Sequence, residues 1–304
     1  MPNGQHPFVS IVTLHFNQLK ATQEFLESSR TLTYPGYEII LCDMHSTYNP
    51  EREIRSRRYP NLKYFRCDQN LGFAGGNNWG LRKAAGDFIF FVNNDTILNP
   101  EIIQILLQPM LENANIAGVS PKIKYFDKPA VIQYAGFTKM NMITGRAFPI
   151  GQGETDRGQY NDSRSTSAVH GCAMMVRRSV TDRIGMFPEK FFLYYEEWDW
   201  SNRAIEAGYS LWYEGKGQIQ HKESLSVGRE NPLKTYYLTR NRILFMRRNA
   251  TEIQYMLFLL FFFLVSIPKA VLQCLVHGRF REIGFITQAV IWNLRNTSFS
   301  PVSC

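Results

Sequence analysis

Apolar runs alternate with amphipathic stretches through the first hundred residues. "FVSIVTL" (residues 8–14) is apolar at nearly every position and runs into the polar turn His15-Phe16-Asn17, the signature of a buried strand. "LKATQEFLESSRTL" follows, with Leu19, Phe25, Leu26 and Leu32 spaced to share a helix face. "YEIILCDM" predicts a second strand ending at Asp43, and "LKYFRC" a third ending before Asp68. "GGNNWGLRKAAG" predicts a helix closed by Gly86, and "DFIFFV" a fourth strand ending at Asn93. The alternation predicts an α/β fold: right-handed βαβ units and a mainly parallel sheet flanked by helices. Ligands of such sheets lie beyond the carboxyl ends of strands, near a topological switch point. Asn17, Asp43, Asp68 and Asp95 all fall at those ends.

The pattern then loosens. Residues 121–165 mix Gly, Pro and Asp with short apolar runs, predicting irregular strands and a mobile segment, with "GQGETDRGQYNDSRSTS" as a polar loop. "AVHGCAMMVRRSVTDRIGMF" restores a strand and a helix. "KFFLYYEEWDWSNRAIEAGY" leads through aromatics into an acidic cluster and a helix ending at Gly208, and "SLWYEGKGQIQHKES" predicts two strands reaching His221. The tail differs. Residues 255–276, "YMLFLLFFFLVSIPKAVLQCLV", approach the length of a membrane span, but Pro268 and Lys269 interrupt them. Arg247 and Arg248 precede the run and Arg279 and Arg281 follow it, so both ends are expected to face the cytoplasm. A monotopic or re-entrant helical hairpin is therefore expected, with a buried helix pair or an oligomer interface as the competing reading. "FREIGFITQAVIWNLRN" predicts a basic amphipathic helix suited to an anionic surface.

Composition narrows the picture. In 304 residues, 44% hydrophobic and 20% charged, a substantial core is affordable and disorder is excluded. A net charge of +8 points to an anionic partner. The charge gathers around the apolar tail and not on an aromatic-interleaved patch, which argues against nucleic acid. Five scattered cysteines without a CxxC pair indicate neither a zinc site nor a disulfide framework, and the N-terminus has no signal-peptide pattern, so the cytosol is the expected compartment.

Four places carry candidate chemistry. In "FFVNNDTILNP" the strand runs into Asn93, Asn94 and the carboxylate of Asp95. A hard divalent cation accepts such oxygen ligands, most readily when the ligand brings its own phosphates; a solvent turn is the plain alternative. In "NLGFAGGNN", Asn70, Gly72, Gly75 and Gly76 open a helix whose N-terminus favours anions. The spacing is GxxGG and not GxGxxG, so a nicotinamide-dinucleotide site is disfavoured, and a tight strand-to-helix turn explains the glycines equally well. In "YYEEWDW", Glu196, Glu197 and Asp199 sit among aromatics, where mutual repulsion and burial raise carboxyl pKa values toward those of a general base. Acids complementing a helix dipole give the same pattern. His221, alone at a strand end, is compatible with a metal, a phosphate or a purely structural role.

In this order, "VSIVTLHFN", "EIILCDMHST", "NLGFAGGNNWGLRKAAGDFIFFVNNDT", "HGCAMMVRRSVTDRIGMF", "FFLYYEEWDW" and "HKESLS" resemble the family-2 inverting glycosyltransferases of the GT-A fold, in particular the bacterial rhamnosyltransferase-like branch. The resemblance covers roughly residues 7–245. It implies a Rossmann-like nucleotide-sugar-binding sheet, with His15, Asn17 and Asp43 around the base and ribose. It puts Asn93-Asn94-Asp95 at the DxD position, Asn93 replacing its first Asp, so that Asp95 binds Mg2+ or Mn2+ and the diphosphate, approached late in the domain by His221. Glu197 stands where the family usually has an Asp as catalytic base, and Tyr195, Glu196, Trp198 and Asp199 would shape the acceptor site. The implied activity is inverting transfer of a sugar, rhamnose as the first expectation, from a nucleotide-diphosphate donor to a saccharide acceptor, expected to be lipid-linked, in cell-surface polysaccharide synthesis. Residues 1–249 would form the transferase domain and residues 250–304 a membrane-associating helical region at the inner face of the cell membrane, with Arg240, Arg242, Arg247 and Arg248 offered to lipid phosphates. The alternative is a membrane-associated nucleotide-sugar-binding protein without transfer activity.

Overall fold

The computed structural model describes residues 6–222 and 232–296. The strands are β1 (Val9–His15), β2 (Tyr37–Asp43), β3 (Leu62–Arg66), β4 (Phe88–Val92), β5 (Thr96–Ile97), β6 (Ile116–Tyr125), β7 (Ile132–Tyr134), β8 (Arg164–Ser165), β9 (Ala173–Arg177) and β10 (Ser210–His221). They form one sheet in the order β3-β2-β1-β4-β9-β6-β10-β5, with β7 on β6 and β8 on β10. Strands β3, β2, β1 and β4 run parallel, while β9 is antiparallel to both of its neighbours. The chain winds outward from β1 to β3 and returns to place β4 on the other side of β1. That reversal opens a crevice beyond the carboxyl ends of β1 and β4, where His15 and Asn93 stand.

The helices are α1 (Leu19–Ser29), α2 (Glu51–Ser56), α3 (Gly72–Leu81), α4 (Ile102–Glu112), α5 (Arg178–Ile184), α6 (Glu196–Glu206), α7 (Pro232–Asn249), α8 (Glu252–Phe261), α9 (Ile267–Val276) and α10 (Phe280–Arg295). Strand alternation divides the apolar residues between two faces. Ile11, Ile39, Leu41 and Phe90 meet α1 and α4 on one side. Val12, Ile40, Cys42, Ile89 and Phe91 meet α3, α5 and α6 on the other. A third core joins Phe191 to α7 and α8 through Phe245, Met246, Phe258 and Phe262.

Several expectations change. The helix expected over 75–86 begins at Gly72 and ends at Leu81, and Gly86 instead lies against the strand backbone: a Cβ there would stand 2.5 Å from the Ser10 amide nitrogen. Leu32 falls past the end of α1 but still packs on the core. Residues 210–221 form one strand, with a register shift between Glu214 and Gln218 absorbing the interruption read as a break. The polar loop of residues 151–167 is pinned, since Asp156 pairs with the buried Lys122 and with Lys124, and Lys122 also donates to Asn161. In the tail, Pro268 does not stop the helix. A π-helical segment, Phe262–Ser266, absorbs it, and Glu252–Val276 forms one apolar helix of 25 residues. The chain turns at Gly278, φ 66°, and α10 packs back on α7. Helices α7 and α10 thus pack together across the boundary expected at residue 249.

The glycines of α3 show packing at its tightest. A Cβ on Gly80 would stand 2.5 Å from Val12 Cγ1, so Gly80→Ala should destabilise the protein by about 1–3 kcal/mol through overpacking. Gly284, in α10, has nothing within 4 Å, and Gly284→Ala should stabilise by about 0.5–1 kcal/mol through helix propensity alone. Urea unfolding of the two variants checks the opposite signs.

Candidate active site

Two strand registers assemble the site. The antiparallel pairing of β10 with β5 sets His221 opposite Thr96, next to Asp95. His221 Nε2 lies 3.2 Å from Asp95 Oδ1, and Lys222 N–H donates to the Asp95 carbonyl. The antiparallel pairing of β4 with β9 sets Val92 opposite Ala173, and the Asn93 amide donates to the Cys172 carbonyl at 2.9 Å. The loop His170–Cys172 thus runs along the Asn93-Asn94-Asp95 turn. Its other flank meets Glu197: a Cβ built on Gly171 would stand 3.7 Å from the Glu197 carboxyl carbon. One loop touches both the strand-end asparagine turn and the expected base.

Asp95 is 5% exposed, and its Oδ1 lacks a well-formed hydrogen bond because the His221 contact is poorly aligned. His221 Nδ1 faces Gln133 Oε1 of β7 at 2.9 Å. With the proton on Nδ1, Nε2 is left as a ligand nitrogen beside the unsatisfied oxygen. Burial opposes a charge on His221, but Cys172 and Asp95 together hold its pKa well above the usual 6.5, so a metal must displace a proton there. An unsatisfied carboxylate oxygen next to an imidazole fits a divalent cation. No group of three or more His, Cys, Asp or Glu able to hold a metal occurs among the described residues, so the remaining ligands would come from substrate or water.

Glu197 opens α6. Burial raises its pKa to about 7, against hydrogen bonds from nearby backbone that lower it. Glu196, 3% exposed, is pushed well above 4.5 by burial and by the Glu197 charge, with Arg240 pulling the other way. One oxygen of each carboxyl, Oε2, is buried without a partner. A partly protonated carboxyl with an unpartnered oxygen beside an open glycine can take a proton from a bound hydroxyl.

The approach to α6 is strained. Phe192, Tyr194 and Tyr195 have φ of 61°, 72° and 74°, a left-handed region costly for bulky residues. Buried Asn241 holds them, its Nδ2 lying 2.7–2.9 Å from the carbonyls of Phe191, Leu193 and Tyr194. This clamp had no sequence signal, since a lone Asn inside a helix carries none.

Other expected residues take different roles. Asp43 is wholly buried and already used. It accepts from the Ser46 amide, the Tyr64 hydroxyl (3.0 Å) and Arg66 Nη1 (2.5 Å). Arg66, held by this ion pair, keeps its side chain 26% exposed. His15 Nδ1 and Asn94 Nδ2 both bond Thr22 Oγ1, and burial lowers the His15 pKa while Asp43 partly offsets that. Asn17, at φ 55°, exchanges hydrogen bonds with Ser46 and Thr47. Asn70 caps the turn into Gly72.

The amides of Phe73 and Ala74 both donate to the Phe192 carbonyl, so that part of the α3 N-terminus is filled by backbone and not by an anion. A Cβ on Gly72 would strike Phe192 at 2.5 Å, and one on Gly75 would stand 2.9 Å from Leu71 Cβ, which explains both glycines by packing. Asp199, expected at the acceptor site, is engaged by neighbouring side chains. It is 1% exposed and bonded to Arg203 (2.8 Å), Arg248 (2.7 Å) and Asn249. Trp198 packs against Phe137, and the Tyr195 hydroxyl donates to the Gly145 carbonyl.

The arginines expected to meet lipid all bond within the protein, Arg240 and Arg242 buried and Arg247 and Arg248 half-buried. Arg240 donates to the Phe191 carbonyl, Arg242 to Thr144, Arg247 to Asn293 and Asn296, and Arg248 to Asp199. Residues 223–226 of "HKESLS" lie outside the described residues.

The model of a family described as glycosyl transferase family 2 matches residues 10–185. The N-acetylglucosaminyl-diphospho-decaprenol L-rhamnosyltransferase of Mycobacterium tuberculosis is 25% identical over 72% of this chain and 78% of its own length. Among solved structures, the mannosyltransferase PcManGT from Pyrobaculum calidifontis, in complex with GDP-Man and Mn2+, superposes with a TM-score of 0.61 at 14% identity, covering 97% of this chain and 77% of that one. GalNAc-T7, with UDP, GalNAc and Mn2+, reaches the same TM-score of 0.61 at 16% identity over 74% of this chain and 45% of its own. Both show the fold.

The raised Glu197 pKa gives a pH test with a definite sign. Between 4.5 and about 7 the folded protein holds a proton that the unfolded chain has lost, so this carboxyl's contribution to stability falls as pH rises through that window. Glu197→Gln should melt above the parent protein at pH 8, with the gap closing below pH 4.5, as read by thermal unfolding across a pH series.

Proposed function

The chain belongs to glycosyl transferase family 2 and is a glycosyltransferase, and from that premise we propose that it is an inverting, metal-dependent enzyme moving a sugar from a nucleotide-diphosphate donor to a lipid-linked saccharide. The observation that carries this reading is the loop His170–Cys172, which touches Glu197 on one side and the Asn93 amide on the other. Glu197 takes the proton of an acceptor hydroxyl. The oxygen then attacks the anomeric carbon from the face opposite the nucleotide. The bond to the diphosphate breaks, its electron pair leaving with the phosphate oxygen, and the anomeric configuration inverts. Asp95 and His221 would hold a divalent ion, Mg2+ or Mn2+, which supplies charge stabilisation on the leaving diphosphate. His15, Asn17 and Arg66 line the base side of the crevice, with Asp43 and Thr22 fixing them. Rhamnose is the first candidate sugar, supported by the mycobacterial relative's name.

The membrane side of the proposal rests on the tail. Ile253, Leu264 and Val276 are each 72–73% exposed, and Met256, Leu260 and Phe280 are exposed with them. Such a surface suits the hydrocarbon edge of a bilayer at the inner face of the cell membrane.

Two outcomes follow. Asp95→Ala should abolish thermal stabilisation by nucleotide sugars in Mn2+ or Mg2+ while leaving the metal-free melting point within a few degrees. Stabilisation that is indifferent to chelator would remove Asp95 from the donor site. Replacing Ile253, Leu260 and Leu264 together by Glu should strongly reduce co-flotation with liposomes. These side chains face outward, so the triple variant tests anchoring without removing α10 from α7, as truncation at residue 249 would.

A further inference from the structure

Lys269 stands in the C-terminal third of a largely apolar helix, where a charge without a partner is costly against apolar surroundings. It is exposed, and its ammonium makes no hydrogen bond or ion pair with the described residues. It faces a hollow of about 250 Å³ together with Arg146, Phe261, Val265 and Ser266. Arg146 and Ser266 also line a larger hollow of about 400 Å³, which continues along Arg242, Phe262 and Ile286 to Tyr195, two residues before Glu197. Arg242 is committed to the Thr144 carbonyl and lies 3.2 Å from the Ser266 hydroxyl. The Arg146 side chain, like that of Lys269, is exposed and unpaired among the described residues. Neither hollow is lined by Asp or Glu. Two cations with no counter-charge therefore share a trough. Its walls are aromatic and aliphatic. One end is lined by Tyr195, the residue before the helix that carries Glu197, and the other by Phe261 and Val265 of the apolar outer helix.

We propose that this trough is the subsite for the lipid part of the acceptor, an isoprenoid diphosphate, with Arg146 and Lys269 on the phosphates. The isoprenoid chain lies along Phe261 and Val265 toward the exposed helix face, and the saccharide points past Tyr195 to Glu197. A diphosphate matches the two cations in charge, and an alkyl chain matches the walls. A soluble anion would waste the apolar surface, and a neutral lipid would leave both cations uncompensated. The assignment rests on the transferase reading for the direction in which the saccharide points, but not for the binding of the lipid itself.

The test uses the full chain, with farnesyl diphosphate as probe and chelator present so that the Asp95 site is silent. Farnesyl diphosphate should bind and raise the melting point, while farnesol and inorganic diphosphate at equal concentration bind at least about tenfold more weakly. Arg146→Glu with Lys269→Glu should lose about tenfold or more in farnesyl diphosphate affinity and keep nucleotide-sugar binding in Mn2+. Arg146→Lys with Lys269→Arg should retain the probe and also shows that changes at these positions are tolerated. Farnesyl diphosphate binding unchanged by charge reversal overturns the proposal. Competition by phosphatidylglycerol vesicles as strong as that by the probe overturns it too, because the trough would then read any phospholipid headgroup. Failure of the parent protein to bind any nucleotide sugar would count against the transferase reading alone, since the probe measurement does not involve the donor.

Discussion

The architecture of the site depends on one buried amide. Asn241, inside α7, presents two hydrogens to three carbonyls of the chain between Phe191 and Tyr194, and Arg240 adds a bond to the Phe191 carbonyl. Without these bonds three bulky residues would not stay at positive φ, a conformation costing on the order of 1–3 kcal/mol each. The strained turn has two outputs. Its Phe192 carbonyl caps the first amides of α3, and its end at Tyr195 sets the start of α6, hence the direction of Glu197. Strand-proximal helix, base and tail are thereby locked to one another. The Asp199 ion pairs with Arg203 and Arg248 repeat the lock one turn further along α6. Removing Asp199 would leave Arg203 and Arg248 without the carboxylate they share.

Against this rigid half stands the half made by strand register. A two-residue strand, β5, is enough to bring Asp95 to His221, because its pairing with the end of β10 sets Thr96 opposite His221. The β4–β9 pairing does the same for Asn93 and Cys172. The two halves meet at Gly171. The sheet therefore fixes where Asp95 and His221 lie, and the α7 clamp fixes where Glu197 lies. Their separation is set by their separate contacts with a three-residue loop.

Much of this was legible from local pattern. Buried strands announce themselves as apolar runs, and the polar residues that end them mark the crevice, which is why His15, Asn93 and Asp95 were found without a structure. The acidic start of α6 was equally plain. What local pattern does not encode is which polar groups are already satisfied. Asp43 and Asp199 look as available in sequence as Asp95 and Glu197, yet Arg66, Tyr64, Arg203 and Arg248 consume them from 4 to 49 residues away. The glycines of α3 looked like phosphate contacts because permissive backbone and close packing leave the same trace. Gln133, Thr22 and Asn241 were missed because a single amide or hydroxyl signals nothing until its partner is placed beside it.

The tail shows the same ambiguity resolved by geometry. Read as a run of letters, Pro268 and Lys269 break an apolar segment and argue for a hairpin at that point. In three dimensions the π-turn before Pro268 lets the helix continue, and the reversal comes later, at Gly278, where α10 returns to α7 through Asn293 and the Arg240 carbonyl. The helix thus has two faces. The inner one holds Phe258 and Phe262 in the third core, and the outer one leaves Leu264 and Val276 uncovered. A helix that was only an anchor would have no reason to be welded to the segment that orients Glu197. The shared core of Phe191, Phe245 and Phe262 couples the position of the tail to the turn before α6, and through it to Glu197.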